Sequence, residues 1–371
     1  MTLPWTIPDY AGSSLVNLVA ELERRLTGTA SGPGLRSDLA ELLPEARTYV
    51  LVLFDGLGSH QLRHPAAAAL AASLRASIDA PFPTTTTVSL ATIATGLAPA
   101  GHGLLGYQLY LPSVEQVANT IKWTTLWGDA IDYDTRPFLP APNLWERLTA
   151  AGLEPVTVQP ANFEGTPLSQ ALYRGCRYEP VTTLNDWIEA TAIVADEPGR
   201  LVLAYLPHID FAAHVYGQRS AEYADALRTV TEAWERLTRR LSPGTIAVGT
   251  ADHGHVDFPK DRQVKIPKAE HRDRIFYGDG RVMFVKGDGA GLAPGLPATW
   301  VPREEMEHWW GPEPRHPGFT GRAPDGVLVA DDERLLLHRF SDDRMIGNHG
   351  GLTAEERRIP LLVAGPEAET D

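Results

Sequence analysis

Apolar residues recur at helical spacing over residues 13–26, with a polar face opposite, and this predicts an amphipathic helix covering a core. A Gly/Ser/Thr/Pro loop follows at 27–34. Residues 49–54 (YVLVLF) are continuously apolar, without alternation, and run into Asp55-Gly56. Such a run suits a strand buried on both faces of a parallel sheet. Similar runs recur at 155–158, 201–206, 245–248 and 360–363, and helical patterns lie between them at 65–76, 144–151 and 221–241. Strand and helix in alternation predict an α/β fold, a mostly parallel central sheet with helices on both faces. Two stretches resist this pattern. Residues 106–142 are aromatic-rich and weakly periodic. Residues 258–348 mix a strand-like 281–285 with Trp300, Trp309, Trp310 and many prolines. Either can cap a site. No linker cuts the chain, so residues 1–371 are read as one catalytic domain with a cap insertion at about 258–345.

Composition narrows the function classes. The chain has 371 residues, 43% of them hydrophobic, which excludes global disorder and allows a large core. Its net charge of −14 argues against a nucleic-acid polymer or an anionic membrane as partner. No run approaches the roughly 20 apolar residues of a membrane span. The start lacks a basic end followed by an apolar stretch, so a cytoplasmic protein is expected. Cys176 is the single cysteine, which leaves no internal disulfide. The chain holds 30 prolines and 33 glycines, concentrated in long connections of the kind that often carry function.

Chemistry gathers where the predicted strands end. The first strand ends in Asp55, the third leads to Asp210 with His214 four residues on, and the fourth ends Asp252-His253-Gly254. Gly347-Asn348-His349-Gly350-Gly351 precedes the last strand. In open α/β sheets ligands bind outside the carboxyl ends of the strands. Three aspartates and three histidines delivered to one edge are the donor mix expected of zinc or manganese, and six donors suit two divalent ions. A threonine run, Thr84 to Thr87, opens a short helix that Gly96 ends. A hydroxyl there faces free backbone N–H groups and the positive end of the helix dipole, which suits phosphate binding and, beside a metal, nucleophilic attack.

These segments together resemble the type I phosphodiesterases and nucleotide pyrophosphatases of the alkaline phosphatase superfamily. The resemblance rests on Phe82-Pro83-Thr84-Thr85-Thr86, Gly96-Leu97-x-Pro99-x-x-His102-Gly103, Asp55-Gly56, Asp210/His214, Asp252-His253-Gly254 and Asn348-His349-Gly350-Gly351, spanning about residues 50–364. It implies an alkaline-phosphatase-like fold and hydrolysis of a phosphodiester or nucleotide pyrophosphate through a covalent threonine intermediate. Two ions, usually zinc, flank the nucleophile in that family. By position Thr86 is the implied nucleophile, with Thr85 as second choice. Asp55, Asp252 and His253, bridged by Thr86, are implied for one ion, and Asp210, His214 and His349 for the other. Where many members carry lysine this chain has Thr85. Ser89 stands where many have a substrate-binding asparagine, and is expected to donate to a phosphoryl oxygen. The expected partner is a small phosphorylated substrate such as a nucleotide. Phosphomonoesterase, phosphonate hydrolase and phosphomutase activities remain alternatives on the same fold, and a non-catalytic metal- or phosphate-binding protein is a further one. His102, His255 and His271 read as turn, cap or surface residues. His208 reads as a structural residue or a partner to a ligand, and the tryptophans near Trp309 as packing.

Overall fold

The computed structural model describes residues 5–292, 295–331 and 333–365. The first four residues of the start and the proline at 294 lie outside them. Seven strands form the central sheet: β1 (Thr48–Phe54), β2 (Leu74–Asp79), β3 (Val156–Pro160), β4 (Arg177–Val181), β5 (Leu201–Leu206), β6 (Thr245–Thr250) and β7 (Arg358–Ala364). Their spatial order is β2-β7-β6-β1-β5-β3-β4. All pairings are parallel except those of β7, which runs antiparallel to both β6 and β2. β1 sits at the centre, and every residue in it is buried. Helices cover both faces, which is why its sequence shows no alternation. Burying each of its large apolar side chains contributes roughly 1.5–3 kcal/mol.

Helix α1 (Leu15–Thr27) buries Leu15, Leu18, Val19 and Leu22, the spacing of one helical face, against the threonine-run helix α2 (Thr86–Thr95). Gly28 ends α1 at φ 81°, a conformation glycine adopts without a Cβ penalty. The pattern misread one stretch. Residues 65–76 form two short turns and the strand β2 rather than one helix, because each helical piece stops within five residues. Strand β4 also escaped the pattern, since it lies at the sheet edge and is only partly buried.

The proline-rich region carries a four-stranded antiparallel sheet, Ile275–Asp279, Val282–Lys286, Gly326–Ala330 and Ala298–Pro302 in spatial order. Its two faces divide by strand alternation. Tyr277, Phe284, Val301, Val327 and Val329 join the main core, while Phe276, Met283, Val285, Leu328 and Ala330 form a small second core. The sheet is thus fused to the main body through one face. A smaller antiparallel sheet, Gln108–Leu111, Gln116–Asn119 and Thr124–Thr125, stands beside it. Among the described residues no helix is long and apolar enough to cross a membrane.

Candidate active site

Topology brings five segments to one edge. The parallel strands β1, β5 and β6 end there, at Asp55, at helix α3 (His208–Tyr216) and at Asp252. Strand β2 also ends there and leads into the threonine run. Because β7 runs the opposite way, its start lies at this edge, and His349 precedes it.

Thr86 opens α2, and Thr85 occupies the cap position in extended conformation. Thr86 Oγ1 lies 3.2 Å from His253 Nε2. His253 Nε2 lies 3.6 Å from Asp55 Oδ1 and 3.5 Å from Asp252 Oδ2. These two carboxylates are buried and each is only half-satisfied. Asp252 Oδ1 accepts the Gly56 and His253 backbone N–H groups, both at 3.0 Å, while Oδ2 is buried with no partner among the described residues. Asp55 Oδ2 accepts the Tyr205 hydroxyl, while Oδ1 is buried with no partner among the described residues. Burial, with the neighbouring charges of Asp252 and Asp210, pushes the Asp55 carboxyl well above its usual range. Two orphaned carboxylate oxygens beside an imidazole nitrogen are costly unless a cation satisfies them. Asp55, Asp252 and His253 place their donor atoms within 4.8 Å of one another. The donor set therefore fits a divalent ion.

The second cluster centres on Asp210. Asp210 and His214 share one face of α3 at a spacing of four residues, and His214 Nε2 lies 3.2 Å from Asp210 Oδ1. His349 Nε2 lies 4.0 Å from the same oxygen. Donor atoms of Asp210, His253, His255 and His349 also fall within 4.8 Å of one another, so His253 borders both clusters. Burial opposes ionisation of Asp210, but His214 and His255 beside it more than offset that and hold its carboxyl well below the usual range. Burial, reinforced by the three surrounding histidines, pushes His349 well below the ordinary imidazole range.

Two side chains stand elsewhere than the sequence pattern predicts. His255, read as a cap or surface residue, is buried with Nε2 2.8 Å from Asp210 Oδ1. The signal was its place two residues after His253, on the same strand-end segment. Ser89, expected to face a phosphoryl oxygen, is fully buried and donates to the Asp252 carbonyl at 2.8 Å. One turn into α2, it braces the Asp252 segment instead. Tyr205 was missed, being one more apolar-looking position in a buried strand. His208 lines a separate cavity with Trp187 and Tyr205. His102 is buried at the end of a short helix, and Trp309 and Trp310 are core residues packed edge-on against Phe82.

Glycine is required at one point in this geometry. Gly56 has φ 78°, and a Cβ there would meet His255 Cδ2 at 2.9 Å and Asp210 Cα at 3.0 Å. The backbone after Asp55 thus touches both the His255 ring and α3.

A cavity of about 360 Å³ opens above the clusters. Thr85, Thr86, Asp210, His214, Asn348 and His349 form part of its wall, and the cap contributes Tyr107, Gln108, Asp279, His338 and Phe340. The four-stranded sheet thus borders the site at Gly278 and Asp279. Another cavity, of about 500 Å³, lies by Trp5, Arg281 and Glu355 and contains none of these donor groups.

Residues 49–352 match the model of the type I phosphodiesterase / nucleotide pyrophosphatase family. The chain belongs to that family. Murine ectonucleotide pyrophosphatase/phosphodiesterase 5 shares its fold with a TM-score of 0.64 at 20% identity, over 86% of this chain and 88% of that one. An inactive variant of the murine protein, in complex with AMP, gives 0.65 at 21% identity over the same shares. The human counterpart gives 0.63 at 19%, again over 86% and 88%. The match bears out the α/β sheet expected from the strand and helix pattern and the alkaline-phosphatase-like fold that the family resemblance implies. The family is one of metal-dependent phosphoester hydrolases, and the two Asp/His clusters lie within the matched residues.

Proposed function

We propose that this chain is a two-metal phosphodiesterase that cleaves a small nucleotide-type phosphoester through a covalent adduct on Thr86. The observation that carries the reading is the Thr86 hydroxyl at a helix start, 3.2 Å from His253 and beside the orphaned oxygens of Asp55 and Asp252. Asp55, Asp252 and His253 would hold one ion, and Asp210, His214 and His349 the other. Zinc suits this mixture of carboxylate and imidazole, and manganese is the second choice. Bound divalent ions supply Lewis acidity that favours an ionised hydroxyl and offsets phosphoryl charge.

The chain's own residues then divide the work. Thr86 Oγ1 attacks phosphorus as the bond to the leaving oxygen breaks, and that oxygen departs with the alcohol or phosphate it carries. Water next cleaves the threonyl ester, releasing phosphoryl product and restoring the hydroxyl. The N–H groups of Thr86, Thr87 and Val88 have no partner among the described residues, as the start of a helix dictates. They suit the non-bridging oxygens, whose charge the helix dipole favours. The cap wall with Tyr107 and Phe340 suits the organic part of the substrate. The AMP complex of the murine structural relative supports a nucleotide as that part.

The test pairs bis-p-nitrophenyl phosphate with p-nitrophenyl phosphate, for wild type and Thr86→Ala, with acid-quenched protein examined by peptide mass spectrometry. Expected are preference for the diester, a phosphoryl adduct on Thr86, and loss of roughly 10³-fold or more in rate on removing the nucleophile. Preference for the monoester, or near-full turnover by Thr86→Ala, overturns the reading.

A further inference from the structure

Three imidazoles crowd one aspartate oxygen. His255, His214 and His349 place Nε2 at 2.8, 3.2 and 4.0 Å from Asp210 Oδ1. Their other ring nitrogens separate them into two kinds. His214 Nδ1 lies 2.7 Å from the Gly347 carbonyl, and His349 Nδ1 lies 2.9 Å from the Thr84 carbonyl. His253 Nδ1 lies 3.1 Å from the Gly254 carbonyl. A carbonyl can only accept, so in each of these rings Nδ1 carries the proton and Nε2 presents a lone pair. That tautomer is the one a metal-ligating histidine takes when a backbone group fixes it.

His255 is built the other way. Its Nδ1 is buried and has no hydrogen-bond partner among the described residues, and the nitrogen against the carboxylate is Nε2. A neutral ring has one proton to place. On Nδ1 it would leave a buried N–H unsatisfied and set the Nε2 lone pair against a carboxylate oxygen. On Nε2 it makes a charge-assisted hydrogen bond, at the cost only of a bare buried lone pair. The ring packs against the backbone at Gly56, where an added Cβ would stand 2.9 Å from Cδ2 and 3.0 Å from Nε2.

We propose that His255 is a positioning residue that donates from Nε2 to Asp210 Oδ1 and fixes that carboxylate, while His214, His253 and His349 face the divalent ions as ligands. The proposal rests on the two-metal reading for its consequence and on the hydrogen-bond pattern for its geometry. Asp210 arrives at the site on the first turn of α3 and, among the described residues, is the one carboxylate of its cluster. Holding it from the Asp252-His253-Gly254-His255 segment ties that cluster to its neighbour.

The test uses the full chain labelled with ¹⁵N-histidine, in long-range ¹H–¹⁵N spectra of the metal-free and zinc-loaded protein, with His255 assigned through His255→Gln. The expected result is a proton on Nε2 of His255 and none on Nδ1 in both states. Zinc should perturb Nε2 of His214, His253 and His349 and leave the His255 tautomer unchanged. A proton on Nδ1 of His255, with its Nε2 shifted by zinc, overturns the proposal and makes His255 a ligand. Chelator competition supplies the second readout. His255→Ala should weaken one zinc by about 10–100-fold while two ions still bind at saturation. His255→Gln, whose amide can still donate, should restore most of that affinity. Loss of a whole ion in both variants also overturns the proposal. If wild type takes up no zinc the two-metal reading fails, while the metal-free spectrum still decides the tautomer on which the proposal stands.

Discussion

Replacing Thr84 with valine tests whether the threonine run also holds the His349 loop. Thr84 is fully buried. Its hydroxyl donates to the Gly351 carbonyl at 2.9 Å and accepts the Gly350 N–H at 3.1 Å. Valine fills nearly the same volume, so almost no cavity term enters, and the change isolates two hydrogen bonds. Both backbone partners are buried, and each would be left unsatisfied at a cost of about 1–3 kcal/mol. Partial relaxation of the loop reduces the sum, giving an expected loss of about 2–4 kcal/mol. Gly350 lies close against Asp279, at φ 106° and with room for no side chain, since an added Cβ would stand 2.3 Å from Asp279 Cβ, and this tight packing limits that relaxation. Urea unfolding of metal-free protein reads the loss without a contribution from bound ligand. Thr84→Ser is the control, since it keeps the hydroxyl and should cost only about 1 kcal/mol for the missing methyl. Because Gly350 follows His349 directly, Thr84→Val should also weaken zinc binding by about tenfold or more. A Thr84→Val variant within about 0.5 kcal/mol of wild type, or a serine variant as damaged as the valine one, refutes the reasoning.

Tyr205→Phe removes the hydroxyl that donates to Asp55 Oδ2 and should lower zinc affinity by about 10–100-fold with little change in fold, measured by chelator competition and circular dichroism. Glu356→Ala should cost about 3–5 kcal/mol in urea unfolding, because it strands buried Arg281 as well as the Gly351 N–H and the Thr353 hydroxyl. Burial, helped by His316 and Arg322, lowers His102 to about 3 from an unfolded value of 6.5. A depressed imidazole leaves the unfolded chain binding the extra proton between those values, so its contribution to stability is lost as pH falls below 6.5. The loss from pH 7 to pH 5 is about 2 kcal/mol, and His102→Gln should flatten the stability–pH curve by that amount. Parallel curves for wild type and variant would refute this.

The central strands were legible because a strand buried on both faces must be apolar nearly throughout, and β1 from Tyr49 onward and β5 are. The site followed from chain order, since parallel strands deliver their ends to one edge and β7 brings His349 there by running backwards. What escaped depended on contacts that spacing does not encode. His255 shares its segment with His253, but only the fold sets it against Asp210, 45 residues away. Ser89 stands at the expected spacing from Thr86, yet its hydroxyl meets the Asp252 carbonyl, 163 residues away. The cap sheet was illegible as a unit because its strands are short and separated by loops rich in proline, and its two faces serve different cores.

The most direct test of the two-metal claim is elemental analysis of protein purified without chelator, for wild type, Asp252→Ala and Asp210→Ala side by side. The account predicts near two zinc or manganese ions per chain in wild type and about one in each variant, each variant emptying a different cluster. Metal-free wild type that takes up none on titration at neutral pH, or variants that retain both ions, would contradict it.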